Sequence, residues 1–143
     1  MNQSQLVKSL MGQLLTKAIY ILIIFYLSTR LVNLTILPIF NDEAIYLHWG
    51  LIELSDIPRY LFYSLYDGKQ PLLMWVFGAM QRLTEDPLLA GRLVSVGIGL
   101  LTMIGLYELG KRFFSKEVGT LAALIYIIIP IFAFYDRQAL MES

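Results

Sequence analysis

The sequence predicts an all-α integral membrane protein with about three transmembrane helices, plus interfacial, juxtamembrane helices in the first extracytoplasmic loop. Three observations lead there. The chain is 57% apolar and 15% charged, with a mean hydropathy of +0.64, whereas soluble domains carry about 25% charged residues. Its apolar residues gather into the runs 18–40, 88–109 and 119–135, each close to the roughly 20 residues that cross a hydrocarbon core. Charges collect between these runs, because an ionised side chain inside lipid is expensive.

Composition also excludes classes. A net charge of zero leaves no basic field to neutralise phosphates, which argues against a nucleic-acid partner. With no Cys and one His, there is no disulfide framework, no thiol nucleophile and no Cys- or His-rich metal site.

Residues 1–17 read as an amphipathic cytoplasmic leader, with Leu6, Leu10, Met11, Leu14 and Leu15 at helical spacing and Lys8 and Lys17 as inside markers. The apolar stretch outruns a signal peptide's and no small-residue cleavage site follows it, so an uncleaved anchor is expected. The first transmembrane helix is expected over 18–40, with Arg30 either snorkelling outward or facing a protein interior. Residues 41–87 form an extracytoplasmic loop. Within it, Glu43–Leu54 has helix-compatible apolar spacing, and Tyr46, His48 and Trp49 give it interfacial character. The tyrosines 60, 63 and 66 run into an Asp67-Gly68 turn, and Pro71 opens an apolar segment to Leu83 that is too short to span. The second transmembrane helix follows over 88–109, where Arg92 and Glu108 are expected at headgroup level. Residues 110–118 form a basic cytoplasmic loop, 119–135 a third transmembrane helix kinked at Pro130, and 136–143 the start of a second extracytoplasmic loop.

Charge sets the topology. Lys8 and Lys17 hold the N-terminus in the cytoplasm, and Lys111, Arg112 and Lys116 hold their loop there. An odd number of crossings must then separate that loop from Asp42, so 71–83 does not cross. The third span returns Arg137 and Glu142 to the face that carries Asp42 and Glu43. A multi-pass protein of the cell membrane results.

Two adjacent carboxylates, Asp42 and Glu43, at a membrane exit suggest a task. They are the candidate catalytic residues. Asp42 suits a general base, and such a base contributes about 10²–10⁴-fold. Asn41 or Asp42 alternatively caps a helix starting at Glu43, and Glu43 alternatively supports its neighbour or favours the helix dipole. The pair is also the one place for a possible divalent cation, although adjacent side chains point apart. Lys69 suits a phosphate contact or a snorkelling lysine. The aromatics between 46 and 66 suit a membrane belt better than a sugar-stacking platform.

Four ordered motifs carry a resemblance. They are Asp42-Glu43-Ala44-Ile45-Tyr46, then Gly68-Lys69-Gln70-Pro71-Leu72 running into Trp75. Next come Gly91-Arg92-Leu93-Val94-Ser95 with Gly110-Lys111-Arg112-Phe113-Phe114 and Gly119-Thr120-Leu121-Ala122-Ala123-Leu124, and last Pro130 with Arg137-Gln138-Ala139-Leu140-Met141-Glu142. Over residues 15–143 this set resembles the N-terminal part of the GT-C glycosyltransferases, closest to the protein mannosyltransferase and aminoarabinose transferase-like family. The resemblance implies a partial GT-C fold and transfer of a sugar from a polyprenyl-phosphate donor to an acceptor at the extracytoplasmic face. It implies that Asp42 is the base, that Lys69 lies near the lipid phosphate, and that Glu142 lines the same cavity. Tyr46 and Arg137 complete the expected substrate-binding set. Gln70 stands where relatives commonly have Pro, and Glu142 where Asp is more usual. Such enzymes have many more spans, which implies an N-terminal fragment inactive alone. The rival readings are a non-catalytic membrane subunit, in which Asp42 and Lys69 tolerate Ala, and a transporter fragment, disfavoured because transporters hold such charges near the midplane.

Overall fold

The computed structural model describes the backbone of residues 3–141, with side chains from Lys17 onward. All regular structure in that range is helical: α1 (Gln3–Leu31), α2 (Asn41–Ser55), α3 (Ile57–Tyr60), a 3-10 helix over Tyr63–Asp67, α4 (Pro71–Gln81), α5 (Pro87–Phe113), α6 (Lys116–Ile128) and α7 (Pro130–Tyr135). Among the described residues, α5 is the one helix long and apolar enough to cross a membrane.

Local chemistry sets most boundaries. Pro71 and Pro87 occupy first helical positions, where the missing N–H costs nothing. The Asp86 carboxylate accepts the N–H groups of Leu88 and Leu89 at 2.9 and 3.2 Å, and Ser115 Oγ caps α6 by accepting from Val118 at 3.3 Å. Ile129, ahead of Pro130, is extended (φ −65°, ψ 121°), so the expected kink is a break between α6 and α7.

The first apolar run departs from expectation. It is helical only to Leu31, and residues 32–40 form a turn and an extended stretch. Asn33 stops the helix by adopting φ 51°, a left-handed conformation that Asn tolerates better than most residues. Periodicity could not show this, because the apolar composition continues to Phe40.

The fold divides into two compact units, residues 1–29 with 100–133 and residues 30–99 with 134–143. In the first, α5 and α6 form a tight hairpin. A side chain added at Gly110 would stand 2.7 Å from the Gly119 Cα, and one at Gly119 would strike the Tyr107 carbonyl. Tyr26 stacks on Tyr126 with ring centroids 6.5 Å apart, and Tyr126 on Phe132 at 4.9 Å.

The second unit holds the candidate residues. Its core is α2 packed against α4, with Tyr46, Leu47, Met74 and Phe77 buried together with Ala139 and Leu140. The two helices touch backbone to backbone. A Cβ at Gly50 would meet the Met74 carbonyl oxygen at 2.6 Å, and one at Gly78 would collide with the Gly50 carbonyl. Backbone cannot yield as a flexible side chain does, so Gly78→Ala is expected at the upper end of the overpacking range, about 3 kcal/mol. A drop in the thermal midpoint of detergent-solubilised protein checks it, with the open-sided Gly97→Ala as the tolerated control.

Candidate functional site

The acidic pair splits as α2 begins. Phe40 is the cap position, Asp42 the second helical residue and Glu43 the third. Asp42 is exposed, whereas Glu43 is fully buried. The expected cap at Asn41 or Asp42 is thus corrected. The capping side chain is Glu43, whose Oε2 accepts the Phe40 N–H at 3.0 Å.

Arg92 completes the enclosure of Glu43. Its Nε donates to Oε1 at 2.9 Å and its Nη2 to Oε2 at 2.8 Å, a bidentate pair with both side chains at 0% exposure. Oε1 also accepts the Ala139 N–H at 2.7 Å. The remaining guanidinium hydrogens go to the carbonyls of Leu34 and Leu37, both at 2.9 Å, and of Pro38 at 3.2 Å. Five acceptor oxygens, two from one carboxylate and three from carbonyls, thus surround one guanidinium. Arg92 was expected at headgroup level; it lies in the interior instead, because a buried carboxylate needs a cation.

Burial by itself would raise the Glu43 carboxyl. The hydrogen bond from Arg92, then those from the Phe40 and Ala139 amides, and the guanidinium charge overcome this and hold it below the ordinary carboxylate value of 4.5. Because the folded value is the lower one, this stabilisation is complete above the unfolded value and is lost as pH falls through the folded one. Hydrogen exchange at the amides of 34–43, corrected for intrinsic rate, is therefore expected to stay slow from pH 7 to about 4.5 and accelerate below it. In Glu43→Gln that acid-dependent acceleration disappears.

A second buried pair lies nearby in sequence. Arg30 Nε meets Asp136 Oδ2 at 3.1 Å with both side chains at 2% exposure, which settles Arg30 as facing protein. Arg137 Nη2 donates to the carbonyls of Val32 and Asn33 at 2.9 and 2.8 Å. Arg92 and Arg137 between them tether the non-helical stretch that leads to Asp42.

Lys69 follows Gly68, whose φ of 70° closes the predicted turn. Lys69 is half-buried, with Nζ 5.8 Å from the Tyr46 ring centroid. Tyr46 is itself buried in the α2/α4 core. Two expected substrate-binding residues are thereby in contact. Arg137 is engaged with backbone, and Glu142 lies outside the described residues.

The pair Asp42 and Glu43 does not fit a cation. Each Glu43 oxygen already accepts two N–H groups, and among the described residues no group of three His, Cys, Asp or Glu could hold a metal.

Sequence reasoning did not find the Glu43–Arg92 and Arg30–Asp136 pairs. The available signal was that an ionisable residue inside or beside an apolar run usually has a partner.

An exposed carboxylate held at a helix start by a buried ion pair, in an all-helical chain with an apolar spanning helix, fits a membrane glycosyltransferase of the GT-C type. The family of dolichyl-phosphate-mannose-protein mannosyltransferases matches residues 68–142, just over half of the chain, and the chain belongs to that family. The match takes in Lys69, Arg92, Asp136 and Arg137; Asp42 and Glu43 lie before it. Membership makes the protein a membrane-embedded transferase. No curated protein and no solved structure matches it.

Proposed function

We propose that this chain is the N-terminal portion of a glycosyltransferase that moves a sugar from a polyprenyl-phosphate donor to an acceptor at the extracytoplasmic face. The observation that carries the reading is the division of labour in the acidic pair. Glu43 is consumed by Arg92, Phe40 and Ala139 and acts as a positioning residue. Asp42, exposed on the same turn, is left as the base.

In the step proposed, Asp42 takes the acceptor hydroxyl proton while the acceptor oxygen bonds to the anomeric carbon. The bond from that carbon to the phosphate oxygen breaks, and polyprenyl phosphate leaves as an anion. Lys69, steadied on Tyr46, offsets its charge. The membrane arrangement is the one charge predicts, with its bounds drawn from the helices: three spans built on α1, α5 and α6 with α7, interfacial helices within 41–87, and a cytoplasmic N-terminus. We read the chain as needing further spans for turnover.

Transfer from a polyprenyl-phosphate sugar, assayed in membranes carrying the complete enzyme, tests the reading. Asp42→Asn should abolish it, and a variant that retains transfer overturns the assignment. For the topology, a cysteine at Ser115 should be labelled from the cytoplasmic side; labelling from outside sinks the three-span arrangement.

A further inference from the structure

A cleft beside α2 has the chemistry of a sugar site. Its volume is about 470 Å³, and Ile45, Trp49, Tyr63, Tyr66 and Asp67 line it. We propose that this cleft is a saccharide subsite holding the sugar portion of the acceptor, with the acceptor hydroxyl directed toward Asp42. The direction toward Asp42 rests on the reading of Asp42 as the base; the saccharide site itself does not.

Position is the first support. Asp42, Ile45 and Trp49 are spaced by three and then four residues on α2, which places them along one stripe of the helix. The stripe climbs about 10 Å over those seven residues, so a ligand seated against Trp49 reaches Asp42 without leaving the helix face.

Chemistry is the second. Aromatic rings present flat apolar surfaces that match the C–H faces of a pyranose, while the phenol groups and the Asp67 carboxylate exchange hydrogen bonds with its hydroxyls. The volume falls within the range of small-molecule sites.

Charge is the third. Asp67 is the one charged group in the cleft lining, and no Lys, Arg or His lines it. A phosphate-linked donor sugar would bring its negative charge against that carboxylate, whereas a neutral or amino sugar meets no repulsion. Lys69, which the proposed step gives to the donor phosphate, stands outside this lining, and this division assigns the cleft to the acceptor.

The platform is held ready. The Ser64 N–H donates to the buried Glu53 Oε1 at 2.8 Å, fixing the 3-10 helix to α2. Trp75 Nε1 donates to the Leu61 carbonyl at 2.7 Å, anchoring the preceding segment to α4. Tyr63 and Tyr66 meet edge to face at 6.1 Å. Tyr66, at 92% exposure, is the lining ring left for the ligand to order.

The test uses the two tryptophans of the chain. Trp75 is kept, because its indole holds Leu61; Trp49→Phe identifies the part of the emission that belongs to Trp49, and the chain is placed in nanodiscs of zwitterionic lipid. Mannobiose, maltose and chitobiose are titrated, alongside a Ser/Thr-containing peptide free of sugar. At least one disaccharide is expected to change Trp49 emission saturably. Tyr66→Ala and Asp67→Asn, both at exposed positions and checked for unchanged helicity, should each weaken that binding about tenfold, or about 1.4 kcal/mol. Glu85→Gln, exposed and outside the cleft lining, should leave it unchanged; because the readout is binding, the subsite stands even if transfer proves independent of Asp42. The proposal is overturned if no disaccharide perturbs Trp49 or if only the peptide does. It is equally overturned if lipids brominated at mid-chain quench Trp49 more strongly than lipids brominated near the headgroup, which would place the ring in the hydrocarbon instead of at a wet interfacial cleft.

Discussion

Replacing Arg92 with Leu is expected to cost about 3–5 kcal/mol, the range for removing one partner of a buried ion pair. The size follows from what the guanidinium leaves behind. Glu43 would be a fully buried carboxylate with only two amide donors, and the carbonyls of Leu34, Leu37 and Pro38 would lose their donor together. The stretch 32–40 should loosen, read as faster proteolysis there and a lower thermal midpoint in detergent. Exchanging both partners for Leu should restore part of the loss, since two apolar side chains leave no buried charge. An Arg92→Leu protein that melts like its parent would show that the pair contributes nothing to the fold.

Asp42→Asn is expected to behave oppositely. Its side chain is exposed at the second position of α2, and Asn keeps the shape while losing the charge. Only a small stability change follows, a few tenths of a kcal/mol from the weaker interaction with the helix dipole. Transfer should nevertheless fall by about 10²–10⁴-fold, the usual worth of a general base, through kcat with little change in KM. Neighbouring residues of the same chemical type thus separate cleanly. Loss of Glu43 or Arg92 lowers folded protein and activity together, while loss of Asp42 lowers activity alone. If Asp42→Asn instead unfolds the protein, its role is structural and the base must be sought elsewhere.

The sequence made some of this legible and hid the rest for physical reasons. The helix over 71–81, the turn at Gly68 and the interruption before Pro130 follow from residues whose backbone preferences are local. The end of α1 did not, because one Asn in a left-handed conformation outweighs the seven apolar or neutral residues that continue the run after it. The ion pairs were hidden more deeply. Arg92 lies 49 positions from Glu43 and Asp136 lies 106 from Arg30, and periodicity along one helix says nothing about which charges meet across such distances. The aromatic cleft illustrates the same limit. Spacing shows the interfacial character of Trp49, Tyr63 and Tyr66 but not that they line one cleft with Ile45 and Asp67.

The donors around Glu43 also impose an order on biogenesis. Phe40 is already made when Glu43 is added, Arg92 comes 49 residues later and Ala139 96 residues later. At about 5–20 residues per second, the carboxylate waits seconds for its guanidinium and roughly twice as long for its last amide. A nascent chain arrested before Arg92 therefore presents an unsealed loop at the membrane surface, open to quality-control proteases. Completion of the ion pair is the earliest moment at which that loop can pass as native.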